Sequence, residues 1–236
     1  MIETLGGSNP DPLLTAHYAE HPYPPYDPGD EAKRLCPTPL DQLDTLSDRC
    51  FGGKLNPSNG MRVLVAGGGT GGDALFLAEQ LRDTPSEVVY VDLSRASMEL
   101  AQQGAEARGL SNITWINGSL LDLPDTIKEP FDYINCCGVL HHLEDPQAGL
   151  QALEAVLGPD GAMGLLVYAP YGHRERYRLR DVLRISSPAS TSSIEERLIN
   201  AHALVAGMLA EWQANPDSQY ITQEARSNPS PAVPRP

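Results

Sequence analysis

The chain has 236 residues, 41% of them hydrophobic, and a formal net charge of −14. That length supports one well-buried domain with something attached, and the apolar share fits a folded chain rather than a disordered one. The acidity, with a pI near 4.7, repels phosphate backbones and anionic membranes, so nucleic acid and membranes are set aside as expected partners.

No apolar run approaches the roughly 20 residues of a membrane span. The four cysteines, Cys36, Cys50, Cys136 and Cys137, form no C-x-x-C pair and follow no signal peptide. A reducing, cytoplasmic compartment is the expectation.

Residues 1–60 read as an N-terminal arm and cap. The stretch from His17 to Asp30, "HYAEHPYPPYDPGD", carries prolines at 22, 24, 25 and 28, which argues for an extended arm. A short helix is expected near Leu40 to Leu46. Strand and helix then alternate. "RVLVA" (62–66) is a first strand and "GDALFLAEQL" a helix with Ala74, Leu77, Ala78 and Leu81 on one face. "EVVYVDLS" (87–94) is a second strand. A helix follows from Arg95, with Ser94 as N-cap and Gly109 just past its end.

"NITWIN" (112–117) and "FDYINCC" (131–137) read as the third and fourth strands. A helix from Asp145 is expected to stop at Gly158 and Pro159, and "AMGLLVYA" (162–169) is the fifth strand. Apolar strands alternating with helices define a parallel sheet covered on both faces, with ligands beyond the carboxyl ends of its strands. The core is expected over 61–171.

Residues 172–214 differ in character. Arginines stand at 174, 176, 178, 180 and 184, reading as a solvated helix face or, as the alternative, an anion or substrate contact. Ile194, Leu198, Ala201, Val205, Met208 and Trp212 then make an apolar helical stripe, opened by the capping box of Ser193 and Glu196. The stripe suits core packing or a partner face, including a homodimer through residues 192–212. Residues 215–236, rich in proline, read as a disordered tail, with "QYIT" (219–222) too short for a terminal strand.

The chemistry concentrates in "VLVAGGGTGGDA" (63–74), five glycines in six positions after a strand. Bare backbone there turns sharply and lets a ligand approach, and the helix behind it directs free N–H groups at that ligand. Gly67, Gly69 and Gly72 fit the dinucleotide pattern G-x-G-x-x-G. Gly67, Gly69 and Gly71 fit G-x-G-x-G, a turn that holds S-adenosylmethionine (SAM). Asp92, 21 residues after Gly71, ends the second strand and can accept hydrogen bonds from both hydroxyls of a ribose. The chain is short for a nicotinamide half plus a substrate domain, which favours SAM.

"VLVAGGGTGGDA", "VYVDLS", "GSLLDLP", "FDYINCCGVLHHLEDP" and "LGPDGAMGLLVY" in this order resemble the successive motifs of class I SAM-dependent methyltransferases, over roughly Met61 to Tyr168. "HPYPPY" resembles an "NPYPRW" arm ahead of some bacterial methyltransferase domains. The resemblance implies a Rossmann-like α/β fold of this type, here lacking a complete C-terminal β-hairpin. It implies SAM as cofactor and a small-molecule acceptor.

By position, the resemblance implies that Ala66, Gly67, Gly68, Gly69 and Gly71 flank the methionine part and the ribose. Asp92 would hold the ribose hydroxyls and Leu93 would lie against the adenine. Ser119 and Leu120 would meet the adenine edge, and Cys136, Cys137 and Gly138 would border the methionine end. Two acids common in this family are replaced, by Val65 and by Ser119. A SAM-binding protein without turnover and a nicotinamide oxidoreductase are therefore the alternative functions. His141 and His142 are candidate proton acceptors, though packing or capping of the loop is the favoured reading for each, and no metal set is expected. Tyr23 and Tyr26 either lie over the cofactor crevice as a lid or strap the surface elsewhere, with Tyr23 a further catalytic candidate.

Overall fold

The structure, a computed structural model, describes residues 2–4, 12–25, 40–169, 171–188 and 190–213. Tyr26, Cys36, the proline-rich segment from 215 and "QYIT" lie outside the described residues. The chain divides into two compact units, Met1–Val167 and Tyr168–Pro236.

The first unit is built on six parallel strands: β1 (Ile2–Thr4), β2 (Arg62–Ala66), β3 (Glu87–Asp92), β4 (Ile113–Asn117), β5 (Phe131–Cys137) and β6 (Leu157–Leu166). Their order is β1-β4-β3-β2-β5-β6. The chain steps one way from β2 to β4 and the other way from β2 to β5 and β6. The crevice at the carboxyl ends of β2 and β5 is thus the switch point where such sheets bind ligands. Among the described residues no strand follows β6.

Strand side chains alternate between two cores, as the two-residue period requires. Leu64, Val89, Val91, Ile116, Phe131 and Ile134 enter one face with Leu153. Val63, Val65, Val88, Tyr90 and Tyr133 enter the other with Leu77, Met98 and Leu46. Burial on both faces explains why β2 and β3 read as continuous apolar runs.

The helices of this unit are α1 (Pro12–Glu20), α2 (Leu43–Cys50), α3 (Gly72–Gln80), α4 (Arg95–Arg108), α5 (Leu123–Thr126) and α6 (Pro146–Ala155). The ends of α4 match the sequence reading. Ser94 Oγ accepts from Ser97 N at 3.2 Å, and Gly109 closes the helix at φ +65°. Asp145 Oδ1 accepts from Gln147 N at 2.9 Å to cap α6, and Pro146 occupies the first turn.

Four expectations are corrected. His17 to Glu20 are helical, as the last turn of α1; a proline bars helix at itself and discourages it one residue before, and Pro22 lies beyond both. Ile2–Thr4 add a sixth strand beside β4. The short helix lies at Leu43–Cys50 rather than near Leu40 to Leu46.

The fourth correction concerns Gly158 and Pro159. Helix α6 ends at Ala155, and both residues belong to β6. Phe131 N donates to Val156 O at 2.9 Å, drawing the chain onto β5 before those residues are reached. The pairing jumps from Phe131↔Leu157 to Tyr133↔Ala162, a bulge that accommodates a proline without a ladder N–H.

In the second unit, α7 (Arg174–Ser186) and α8 (Ile194–Gln213) follow. The capping box closes both ways: Ser193 N donates to Glu196 Oε2 at 2.9 Å, and Glu196 N donates to Ser193 Oγ at 3.2 Å. Leu198 of the expected stripe is exposed, whereas Ala201, Val205 and Met208 are half-buried; the side chains of Ile194 and Trp212 lie outside the description.

Candidate functional site

The glycine turn between β2 and α3 is stitched to β3. Gly67 N and Gly68 N donate to Val91 O at 2.8 and 3.2 Å. Gly69 N donates to Asp92 Oδ2 at 2.8 Å, and Tyr90 Oη donates to Gly69 O at 2.5 Å. At Gly67, φ is +79° and an added Cβ would lie 2.3 Å from Val139 Cγ2. At Gly71, φ is +101° and an added Cβ would lie 2.6 Å from Ala101 on α4. Gly67 thus brings the turn against the loop after β5, while Gly71 lets α3 and α4 pack closely.

Asp92 ends β3. Its other oxygen, Oδ1, accepts from Ser94 N at 2.7 Å. Burial pushes the carboxyl above the usual range, and the N–H groups of Ser94 and Gly69 pull it part of the way back. Each carboxylate oxygen carries a second lone pair, so a ribose hydroxyl still has an acceptor.

The arm crosses these loops. Ser94 Oγ donates to Tyr18 O at 3.0 Å, and Thr70 Oγ1 donates to Pro24 O at 2.9 Å. An added Cβ at Gly69 would lie 2.6 Å from Tyr23 O. Tyr18 Oη and His142 Nε2 stand 3.3 Å apart. Residues 18–24 therefore touch the loops after β2, β3 and β5, whose strands are neighbours in the sheet.

His141 and His142 occupy a 3-10 turn, Leu140–His142, with ring centroids 4.2 Å apart. Burial, then the nearby charge of His17, lowers the pKa of His142 and favours its neutral form.

An acidic group lies on the α3 side. Asp41, fully buried, accepts at Oδ1 from Asn135 Nδ2 on β5. Asp73, in the first turn of α3, is pushed up to about 7 by burial first, then by the charge of Asp41 and a hydrogen bond with it; Asn135 opposes the shift. Burial, then the charges of Asp73 and Asp41, raises the Cys137 thiol to about 11, and burial chiefly raises Cys136 to about 12, so neither is a thiolate at neutral pH.

The structure brings together Gly67, Gly68, Gly69, Asp92 and Leu93 at the ends of β2 and β3, with Gly138 just past the end of β5 and open space where its Cβ would be. It sends other expected residues into the interior. Ala66, Leu120 and Cys136 are core side chains. Ser119 is buried, and its hydroxyl accepts from Leu121 N at 3.2 Å. Tyr23 is 51% exposed and meets the glycine turn through its carbonyl. Asp41, Asp73, Asn135 and Tyr18 were not anticipated. Asp73 directly follows the glycines and was open to notice; Asp41 has no local signal. Among the described residues no group of three or more His, Cys, Asp or Glu side chains is placed to hold a metal.

The parallel order with its glycine turn at the switch point and the acid ending β3 define a Rossmann-like α/β domain. Residues 64–163 match the model of a methyltransferase domain. The chain is 37% identical over 113 residues to the tRNA 5-carboxymethoxyuridine methyltransferase of Escherichia coli K12, covering 48% of this chain and 42% of that protein. It is 30% identical over 128 residues to the ubiquinone biosynthesis O-methyltransferase of Actinobacillus pleuropneumoniae, covering 53% of each. Among solved structures, PKMT2 from Rickettsia typhi in complex with AdoHcy is 25% identical with a TM-score of 0.55, over 70% of this chain and 32% of that one. The chain spans about half or less of the length of the curated relatives it matches.

Proposed function

We propose that this chain binds SAM at the carboxyl ends of β2, β3 and β5 and transfers its methyl group to a small-molecule acceptor. The observation that carries the reading is the bond between Gly69 N and Asp92 Oδ2: the turn and the carboxylate are held as one preformed cradle for an adenosyl ribose. The matched methyltransferase domain and the relative solved with AdoHcy support the same cofactor. Gly67 to Gly69 would lie along the nucleoside and methionyl part, Asp92 would accept from the ribose hydroxyls, and Leu93 would flank the adenine.

The cofactor brings an electrophilic methyl group, so the protein's task is to align the acceptor and exclude water. The arm from Tyr18 to Pro24 is suited to exclusion, because it is bonded to three loops around the crevice. His142, kept neutral, is the candidate to take the proton of an oxygen or nitrogen acceptor, and Tyr18 would orient its ring.

We place the reaction in the cytoplasm, a reading supported by the free thiols of Cys50, Cys136 and Cys137. No helix among the described residues is long and apolar enough to cross a membrane. Binding without turnover is a second reading, favoured by the Ser119 hydroxyl being committed to Leu121 N. Calorimetry with S-adenosylhomocysteine and with NAD tests the cofactor. Isotope-labelled SAM with a metabolite extract tests turnover: label in a small molecule supports transfer, and binding without label favours the second reading.

A further inference from the structure

Tyr90 is fully buried on β3, two residues before Asp92. Residues two apart on a strand share a face, so the two side chains leave β3 on the same side. Each takes one end of Gly69. Tyr90 Oη donates to Gly69 O at 2.5 Å, and Asp92 Oδ2 accepts from Gly69 N at 2.8 Å. Both peptide groups that flank the Gly69 Cα are therefore clamped from one strand.

The ring of Tyr90 is fixed as well. It packs on Trp115 of β4, with centroids 5.0 Å apart. It also fills the space beside Gly68, where an added Cβ would collide with Tyr90 Cε2. Gly68 has no positive φ, so the Tyr90 ring, rather than the backbone, requires glycine there. Burial, then the charge of Asp92, holds the Tyr90 hydroxyl above the usual phenol range, so it keeps its proton and remains a donor. A buried tyrosine needs a partner for its hydroxyl, and any nearby carbonyl would serve. Here the partner belongs to the residue whose N–H is bonded to the acid assigned to the ribose.

We propose that Tyr90 is a positioning residue for the cofactor: its hydroxyl fixes the Gly69 peptide so that the glycine turn and Asp92 keep the spacing an adenosyl ribose needs. The proposal rests on the cofactor reading above. The hydroxyl acts through Gly69 and the Gly69–Asp92 bond, not by touching the ligand. A turn ordered in advance spares the ligand the cost of ordering it. The benefit goes to the nucleoside, so every ligand that carries the nucleoside shares it.

The test compares the full chain with Tyr90→Phe, which keeps the ring and removes the hydroxyl. Calorimetry should show S-adenosylhomocysteine and 5′-methylthioadenosine, which share the nucleoside, both weakened about tenfold. In an Asp92→Asn background the same change should weaken them by about twofold or less, because both substitutions act on one peptide. In the ligand-free parent chain the Gly69 N–H should be protected from hydrogen exchange by about a hundredfold or more. Lower stability in urea with both affinities unchanged overturns the proposal, as does full additivity with Asp92→Asn. An unprotected Gly69 N–H overturns it whether or not the variant folds. Failure of the parent chain to bind either ligand overturns the cofactor reading, and the proposal with it.

Discussion

The N–H of Gly69 and the carboxylate of Asp92 are bonded to each other at 2.8 Å. The two groups expected to grip one sugar are thus a single unit before any ligand arrives, and Asp92 has a structural duty beside the ribose contact proposed for it. Asp92→Ala should cost about 2 kcal/mol or more, because the N–H groups of Gly69 and Ser94 both lose their acceptor. Asp92→Asn retains one acceptor oxygen and should cost less. Both variants should weaken S-adenosylhomocysteine at least tenfold, about 1.4 kcal/mol. Chemical denaturation and calorimetry read the two effects separately, and unchanged affinity in a folded variant refutes the ribose assignment.

Gly71 serves the packing of two helices. Its added Cβ would meet Ala101 at 2.6 Å, and its φ of +101° strains any other residue. Gly71→Ala should destabilise by about 2–4 kcal/mol from strain and overpacking together. Pairing it with Ala101→Gly relieves the collision and leaves the backbone strain. A double-mutant cycle in urea should therefore show coupling of about 1 kcal/mol or more; strict additivity would mean that the helices do not meet there.

Among the described residues of the arm, Pro24 O and the Tyr18 hydroxyl meet the loops around the crevice, so a lid role for it can be tested at those contacts. Thr70→Val removes the donor to Pro24 O, and Tyr18→Phe removes the hydroxyl beside His142. Each should reduce global stability by less than about 1 kcal/mol and speed cofactor dissociation about fivefold. Stopped-flow displacement measures the rate. Dissociation as slow as in the parent chain would show that the arm does not retain the ligand.

Asp73 makes stability depend on pH in a defined direction. Its carboxyl stands at about 7 in the folded chain against 3.8 when unperturbed, so the native state binds more protons between those values. Its stabilising contribution is complete below pH 3.8 and is lost as pH rises through 7. The stability difference between the parent chain and Asp73→Asn should therefore shift against the parent as pH rises from 4 to 7.5. Urea midpoints across that range test it, and a difference that does not vary with pH, or moves the other way, contradicts a raised Asp73 carboxyl.

Much of the domain was legible locally. The α4 boundaries followed from Ser94 and Gly109, and the capping box of Ser193 and Glu196 forms as written. Burial on both faces made β2, β3 and β5 apolar enough to find without a partner. The misread elements depended on remote pairing. Ile2–Thr4 is three residues long and is a strand because β4 offers an edge. Gly158 and Pro159, ordinary helix stops, lie in β6 because β5 draws the chain in early.

The sequence by itself determined the parallel α/β class, the glycine turn and the acid that closes the next strand, because these depend on residues within a few positions of one another and on a fixed period. Only the tertiary structure decided which of those residues lie open at the strand ends: Leu120 and Cys136 are interior side chains, while Asp41, 94 positions before Asn135, is bonded to it. The physical reason is that burial and charge pairing act through space. No local pattern records that a loop carboxylate will lie against a strand amide from the far half of the chain.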